Sequence, residues 1–271
     1  MTEGIGFRPG TPCWVDVSTK DPAGSRDFYA GLFGWSYRID LDPGSGHYTY
    51  ALLDDLPVAG LAGIPAEPGQ PLVWTLYLAS TNIAHTAAAV VQQGGQVLYG
   101  PDEIPGQGSM LVGADPTGAP IGFWQPSSTW VFRARETGTL CWAELHTWEG
   151  DAADEFFARM FGYRQEQFGD GVSLDYTTWS LGEQVRLARL KMGPEFPRDT
   201  APHWMPYFAV DSDIGTDAAT SRAQELGGRV CVDPYDTFLG RTALIADPCG
   251  ALFSLIDSSR RIDPDMWVPA L

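Results

Sequence analysis

The sequence is poor in basic residues, and this shortage excludes whole classes of partner. Its 271 residues contain 17 Lys and Arg against 34 Asp and Glu, which gives a formal net charge of −17. A nucleic-acid binder needs a basic patch that neutralises phosphates, and an anionic membrane surface attracts basic segments as well. We therefore expect neither partner. A neutral or cationic small molecule, or another protein, fits the charge better.

Cysteines and long apolar runs are also scarce. The four cysteines form no CxxC pair and are too few for a disulfide framework in a chain of this length, so we expect reduced thiols. No run approaches the roughly 18 apolar residues of a membrane span, and the first ten residues lack the apolar region of a signal peptide. These absences predict a cytoplasmic protein. The 44% of hydrophobic residues provides ample material for a core.

An internal repeat dominates what the sequence does contain. Gly10-Thr-Pro-Cys-Trp-Val-Asp16 recurs as Gly138-Thr-Leu-Cys-Trp-Ala-Glu144, and later matches drift by only a few residues. Such self-similarity predicts two homologous domains. The predicted parts are an N-terminal tail (1–9), the first domain (10–126), a linker (127–137) in which Trp130 and Phe132 are expected to pack, the second domain (138–258) and a C-terminal tail (259–271).

Each half shows the same order of elements twice. Alternating, β-prone segments such as 13–19 predict strands, whereas the segment after Asp21 predicts a helix. Asp21 is placed as its N-cap, Pro22 lies in the first turn and Gly34 follows the last turn. The pattern predicts four βαβββ units and an α+β fold.

Two motifs carry a family resemblance. Asp27-Phe-Tyr-Ala-Gly-Leu-Phe-Gly-Trp35 is echoed by residues 155–163, and Asp-Pro-x-Gly turns stand at 115–118 and 247–250. The chain thereby resembles the vicinal oxygen chelate superfamily, the glyoxalase/bleomycin resistance/dioxygenase fold, and most of all its tandem two-domain actinobacterial members. The resemblance implies two cupped, mixed sheets with helices outside, each cup a potential cavity. It leaves open whether the first unit pairs with the second or with the fourth.

The same resemblance implies where a divalent metal would be bound. In the family, His, Gln or Glu side chains at three positions of a cup chelate the ion, as suits such a site. An indole has no lone pair for a metal, and the other positions offer no suitable donor either. We therefore expect no metal and no other cofactor. The six positions hold Trp14 and Trp142, Thr75 and Met205, and Gly122 and Ser254.

Acidic side chains accompany these tryptophans. Residues two apart in a strand share a face, so Asp16 lies beside Trp14, and Glu144 and His146 lie beside Trp142. A carboxylate next to an imidazole can tune it as a base or proton shuttle. Asp16, Glu144 and His146 are therefore the candidate catalytic residues. The alternative is that both acids only cap a buried indole N–H or a loop amide.

Aromatic residues on the predicted strands are candidates for ligand binding. In an acidic cavity they could stack a planar, even cationic, molecule. The alternative is ordinary sheet core, since aromatic residues favour strands, and a strand-end role for the one histidine of the set. The candidates are Trp14, Tyr50, Trp74, Tyr77, Trp124, Trp142, Trp179, His203 and Tyr207.

Two hypotheses of function follow, and they belong to different classes. The first is a small-molecule-binding protein of the glyoxalase fold, without the usual metal ligands, that sequesters an aromatic or cationic metabolite. The second is a metal-independent isomerase, lyase or cyclisation enzyme of secondary metabolism that uses carboxylate and histidine acid–base chemistry. A less specific third option is a duplicated scaffold that serves protein contacts. The protein is expected to be either a monomer or a homodimer. Fold alone does not choose among them.

Overall fold

The computed structural model describes residues 7–42, 46–65 and 72–262. Its first half consists of two βαβββ segments in the predicted order. They comprise β1 (Pro12–Thr19), α1 (Pro22–Phe33), β2 (Ser36–Ile39), β3 (Thr49–Leu53) and β4 (Leu56–Gly63), then β5 (Trp74–Ala79), α2 (Ile83–Gln92), β6 (Gln96–Ile104), β7 (Gly108–Ala114) and β8 (Pro120–Pro126).

The second half repeats this order. Its two segments comprise β9 (Leu140–Thr147), α3 (Gly150–Phe161), β10 (Arg164–Phe168), β11 (Tyr176–Leu181) and β12 (Gln184–Lys191), then β13 (His203–Ala209), α4 (Gly215–Glu225), β14 (Arg229–Thr237), β15 (Gly240–Ala246) and β16 (Leu252–Asp257).

The strands form two mixed eight-stranded sheets with the same topology. The order is β2-β3-β4-β1-β5-β8-β7-β6 in one sheet and β10-β11-β12-β9-β13-β16-β15-β14 in the other. The pairs β1/β4, β5/β8, β9/β12 and β13/β16 are parallel, whereas the hairpin neighbours are antiparallel. Hydrogen bonding thus joins the first segment to the second, and the third to the fourth. The predicted α+β fold of four βαβββ units is confirmed.

Local sequence signals set the ends of the first helix as predicted. The Asp21 side chain accepts a hydrogen bond from the Gly24 N–H at 3.0 Å, and Pro22 opens α1 where its missing N–H costs nothing. Gly34 ends the helix with φ 74°, a left-handed conformation that favours glycine, and its N–H bonds to Ala30 O.

Contacts group the chain into two compact units, each containing one segment from each half. Unit 1 consists of the described residues of Met1–Trp14, Thr75–Val131 and Ala143–Trp204. Unit 2 consists of those of Val15–Trp74, Phe132–Trp142 and Met205–Leu271. The first segment therefore belongs to the same compact unit as the fourth, and the second to the same unit as the third. Within the sheets, by contrast, hydrogen bonds join the first segment to the second.

Unit 2 has an aromatic core on its helix side. Tyr29 of α1 stacks on Trp35 at 5.4 Å between ring centroids and meets Trp74 edge-on at 5.5 Å. Phe208 of β13 lies 5.0 Å from the Trp74 ring, which brings both halves of the chain into one cluster. The Tyr29 hydroxyl donates to Asp247 Oδ2 at 2.9 Å, and burial raises the pKa of both groups.

Unit 1 buries an arginine beside its own aromatic core. Arg189 of β12 is only 2% exposed, and its guanidinium is paired with Asp154 of α3 at 2.8 Å and with Asp175. Trp179 donates its indole N–H to the other oxygen of Asp154 at 2.7 Å, while its ring packs on Phe157. The buried charge is thus compensated by ion pairs and hydrogen bonds, as a buried cation requires.

Two further findings bear on expectations from the sequence. In the described ranges no helix is long and apolar enough to cross a membrane. All four cysteines are free thiols, as predicted; Cys13 and Cys141 donate to the carbonyl oxygens of Tyr77 and Tyr207. Burial raises the pKa of the Cys13 thiol well above its usual value, which disfavours a reactive thiolate.

Candidate functional site

The orientation of β9 decides where its polar side chains lie. Arg189 is adjacent to Leu145 in the sheet register and is paired with Asp154 of α3, so the face that carries Leu145 packs towards that helix. Alternate residues point the opposite way. Glu144 and His146 therefore lie on the face of β9 away from α3, together, as the period of two predicts.

Glu144 and His146 are in direct contact there. The two residues are 3% and 8% exposed, and Glu144 Oε1 lies 2.9 Å from His146 Nε2. The second carboxylate oxygen accepts a hydrogen bond from the Tyr176 hydroxyl of β11, also at 2.9 Å. Buried acids are expected to be hydrogen-bonded in this way, and the tyrosine fixes the carboxylate against the imidazole.

A second imidazole lies against the first. The His203 ring on β13 lies 5.0 Å from the His146 ring, at 68° to it, and Phe196 packs edge-on at 5.6 Å. His203 Nδ1 is 2.8 Å from Ala201 O, a carbonyl that can only accept. Burial, with a contribution from the His146 charge, lowers the pKa of His203 to about 4. His203 is therefore neutral at pH 7.

These four residues, Glu144, His146, Tyr176 and His203, are called the His146 group below. In the neutral form of His146, Nε2 carries the proton, because the carboxylate oxygen can only accept, and Nδ1 then has a lone pair. Nδ1 is buried and has no hydrogen-bond partner among the residues that the structure describes. The group can accept a proton at Nδ1 while the carboxylate stabilises the resulting imidazolium, which is the logic of a carboxylate–histidine pair.

The third catalytic candidate, Asp16 in unit 2, also accepts a hydrogen bond from a tyrosine hydroxyl. Tyr48 donates its hydroxyl to Asp16 Oδ2 at 2.9 Å, and the Tyr48 ring lies 5.2 Å from Tyr50. The guanidinium of Arg38 stands 4.9 Å above the Tyr50 ring, a cation–π distance. Where the other strand has His146, this strand has Ser18, so this acid has no imidazole two residues along its own strand.

Three tryptophans meet in unit 1. The Trp130 ring of the linker lies 4.9 Å from Trp14 and 4.8 Å from Trp124, and its indole N–H donates to Cys13 O at 3.1 Å. The expectation that Trp130 packs is confirmed. Trp14 and Trp124 are both buried, at 3% and 6% exposure, so the linker side chain fills the space next to them.

The remaining aromatic candidates divide by strand face. Trp74 and Trp179 belong to the helix-side cores described above, which favours the sheet-core interpretation for both. Tyr207 packs in an apolar cluster with Met205 and Ile256, against which Trp142 is placed. The binding role of these residues stays a prediction.

The positions at which the resemblance implies metal ligands do not offer a metal site. In unit 1 a Cβ at Gly122 would lie 2.2 Å from the ring of Tyr77, its neighbour across the sheet, so an aromatic ring covers this position. In unit 2 the three positions hold an indole, a thioether and the hydroxyl of Ser254. No group of three or more His, Cys, Asp or Glu residues with metal-site geometry occurs in residues 7–42, 46–65 and 72–262.

Sequence reasoning missed Tyr48, Tyr176 and Phe196 as neighbours of the candidate acids. One signal was available for the tyrosines, since Tyr48 and Tyr176 are separated by the same 128 residues as Asp16 and Glu144. Phe196 lies in a loop without an evident counterpart, and nothing in its local pattern marks it.

Comparisons with known proteins agree with this architecture. A family model described as Glyoxalase/Bleomycin resistance protein/Dioxygenase superfamily matches residues 13–123. The chain is 36% identical to the Mycobacterium tuberculosis protein named "Putative glyoxylase CFP32", over 92% of this chain and 95% of that protein. It is 35% identical to "Anthracycline biosynthesis protein DnrV" of Streptomyces peucetius, over 93% and 94%.

Solved structures show the same fold at low identity. The Mn(II)-bound glyoxalase from Novosphingobium aromaticivorans superposes with a TM-score of 0.64 at 17% identity, covering 97% of this chain and 88% of that one. The 2,3-dioxygenase LapB from Pseudomonas sp. KL28 gives 0.64 at 14% identity, covering 97% and 98%.

Proposed function

Because the chain belongs to the glyoxalase/bleomycin resistance protein/dioxygenase superfamily, in a tandem two-domain form, we propose that it binds a small aromatic metabolite and transfers a proton on it at the His146 group. The substrate class rests on the relative named for anthracycline biosynthesis, since anthracyclines are polycyclic aromatic ketones. The protein would then act in secondary metabolism as an isomerase or lyase that needs no metal.

One observation carries the chemical part of the proposal. His146 has one nitrogen on a buried carboxylate, and the other, Nδ1, is buried without a hydrogen-bond partner among the described residues. Leaving a buried acceptor unpaired costs free energy, about 1–3 kcal/mol, so such a group calls for a ligand that completes it. A substrate O–H or an acidic C–H beside a carbonyl would face it.

The proposed step balances without any further reactant. His146 Nδ1 takes a proton from the carbon next to a substrate carbonyl, and the electron pair moves to the carbonyl oxygen as an enolate. The imidazolium then returns the proton to another carbon or to the oxygen, which isomerises the substrate. Glu144 stabilises the imidazolium, Tyr176 holds Glu144 in place, and the neutral His203 adds no repulsion.

Binding without turnover is the second candidate, and the formal net charge of −17 and the buried aromatic rings support it. The domain boundaries 10–126 and 138–258, the cytoplasmic location and a monomeric or homodimeric state stay predictions.

Deuterium exchange into an aromatic ketone tests the proposal directly. We expect wild-type protein to accelerate exchange of the α-hydrogens of 2-tetralone in D2O, followed by NMR, with and without EDTA. His146→Gln should remove about a hundredfold or more of that acceleration, the usual contribution of a general base. Glu144→Gln should lower it less, because the imidazole remains.

Asp16→Asn is the matched control, since it changes the equivalent acid, whose strand has Ser18 at the position of His146. Its exchange rate should equal that of the wild type. Full activity of His146→Gln would refute the assignment, and loss of activity with EDTA would refute metal independence. Saturable binding of 2-tetralone without any exchange would favour the sequestering function instead.

A further inference from the structure

Trp14, Trp124 and Trp130 of unit 1 have an arrangement that the proposed function does not use. Trp130 comes from the linker, yet its ring contacts both Trp14 and Trp124 at aromatic-pair distances. We propose that Trp14 and Trp124 form a second binding site, for a planar aromatic molecule with a hydrogen-bond acceptor, and that Trp130 occupies this site in the free protein. The site shares no residue with the His146 group.

Trp130 fills this site without providing the hydrogen-bond acceptor that Trp124 needs. Trp124 is 6% exposed, and its indole Nε1 is buried without a hydrogen-bond partner in the part of the chain that the structure describes. An indole can donate but has no lone pair to accept, so Trp130 cannot satisfy this donor. A ligand with a ring nitrogen or carbonyl oxygen could both stack in place of Trp130 and accept from Trp124. The unsatisfied N–H of Trp124 therefore indicates that an aromatic ligand with an acceptor would suit this site better than the Trp130 indole does.

Trp130 is partly buried, and its position depends on two ring contacts and a hydrogen bond. It lies between the end of β8 and the start of β9, and its neighbours in the chain, Thr129 and Val131, are exposed. Its indole N–H donates to Cys13 O at 3.1 Å, and its backbone N–H donates to Ser127 O, three residues earlier in the chain. The indole can therefore leave by rearrangement of the linker, without breaking a strand of either sheet.

A side chain that fills a site acts as an intramolecular competitor. The apparent affinity for a ligand is the intrinsic affinity multiplied by the fraction of molecules in which Trp130 is out. Removing the indole should therefore raise the apparent affinity for a suitable aromatic molecule by the inverse of that fraction.

Calorimetric titration with quinoline tests this, because quinoline is planar and carries one acceptor nitrogen. We expect Trp130→Ala to bind quinoline at least about tenfold more tightly than wild type, and the double variant W14A/W130A to lose that gain. In the Trp130→Ala background, Trp124→Phe should reduce the preference for quinoline over naphthalene, which lacks the acceptor. His146→Gln in that background should keep the gain, which separates this site from the proposed function.

A second measurement follows the chain's own indole in the wild-type protein, and the conservative variant Trp130→Phe serves only to assign its resonance. In wild-type protein labelled with 5-fluorotryptophan, saturating quinoline should move the Trp130 fluorine resonance, assigned from Trp130→Phe, towards its solvent-exposed shift. An unmoved Trp130 resonance at saturation would overturn the proposal. So would equal quinoline affinity of wild type and Trp130→Ala, or retention of the gain in W14A/W130A.

Discussion

The first and third βαβββ segments have the same elements in the same register, but they bury different side chains. In both, an acid on the first strand accepts a hydrogen bond from a tyrosine 32 residues later, Tyr48 on Asp16 and Tyr176 on Glu144. Only the third segment adds His146 beside that acid. At the corresponding place the first segment has Ser18.

The helix-facing side differs as well. Thr177 is adjacent to Arg189 in the register of one sheet, and Thr49 is adjacent to Leu61 in the other, so a buried ion-paired arginine corresponds to a buried leucine. The shared tyrosine–acid pair therefore belongs to the common architecture of the segments. The ion-paired Arg189 and the His146 beside Glu144 are particular to the third segment, and His146 is the reason that the proposed proton transfer is assigned there.

Removing the arginine should produce the largest difference between the two segments. Arg189→Met would leave the carboxylates of Asp154 and Asp175 without their cation, and breaking a buried pair in this way costs about 3–5 kcal/mol. Leu61→Met, the matched change in the first segment, should cost less than about 1.5 kcal/mol. Urea unfolding midpoints measure both. Equal midpoints for the two variants would contradict the assigned role of the ion pairs.

A smaller difference in stability is expected between substitutions at Gly122, beside Tyr77 of β5, and at Ser254, beside Tyr207 of β13. In Gly122→Ala the new methyl group would meet the Tyr77 ring, so we expect a loss of about 1–3 kcal/mol in the free energy of unfolding. Ser254→Ala, beside Tyr207 in the second sheet, should cost less than about 1 kcal/mol. If Gly122→Ala is as stable as wild type, Tyr77 does not cover this position in solution.

The pH dependence of stability should also distinguish the pair His146 and His203 from Ser18 and Val73, which stand at the corresponding positions of the first half. His203 has a folded pKa of about 4 against about 6.5 for an unperturbed histidine, so between these values the unfolded chain binds the extra proton. Stability contributed by neutral His203 is therefore complete above pH 6.5 and is lost as the pH falls to about 4. The groups that face it are His146 and Glu144.

His203→Val, which introduces the residue found as Val73 in the first half, should flatten this dependence. We expect the difference in unfolding free energy between pH 7 and pH 4.5 to shrink by about 1–2 kcal/mol relative to wild type. Urea titrations at both pH values measure it, and the comparison cancels the titration of other groups. An unchanged difference would mean that His203 is not buried against His146.

The smallest effect is expected from the feature that both segments share. Tyr176→Phe and Tyr48→Phe each remove one hydrogen bond to a carboxylate and should each lower stability by about 1 kcal/mol. Only Tyr176→Phe should also slow the deuterium exchange of 2-tetralone, because only Glu144 supports a histidine. A slower rate in Tyr48→Phe would instead assign chemistry to both acids.

Features that depend on a few neighbouring residues were predictable from the sequence. The cap at Asp21, the end of α1 at Gly34 and the shared face of Glu144 and His146 all follow from patterns shorter than one element. The internal repeat made the order of helices and strands predictable as well, because an element assigned in one half is expected at the matching place in the other half.

Features that depend on distant packing were not predictable. Both Trp74 and Trp124 lie on strands, but only the packing of Trp74 on Phe208, and of Trp124 on Trp130, assigns them to different environments. Which segments share a compact unit was unpredictable for the same reason, because it depends on contacts between distant parts of the chain. Tyr29 and Phe253 are 5.8 Å apart as rings, yet no local pattern relates them across more than 200 residues.

That aromatic cluster has an evolutionary consequence. Tyr29, Trp35 and Trp74 precede the linker, whereas Phe208 and Phe253 follow it, so either half alone would expose its share of these rings to water. A single-half ancestor could have buried them by pairing with a second copy of itself, helix side to helix side. On this view gene fusion turned an intermolecular interface into a core, and the two copies then diverged, so that one has His146 and His203 where the other has Ser18 and Val73.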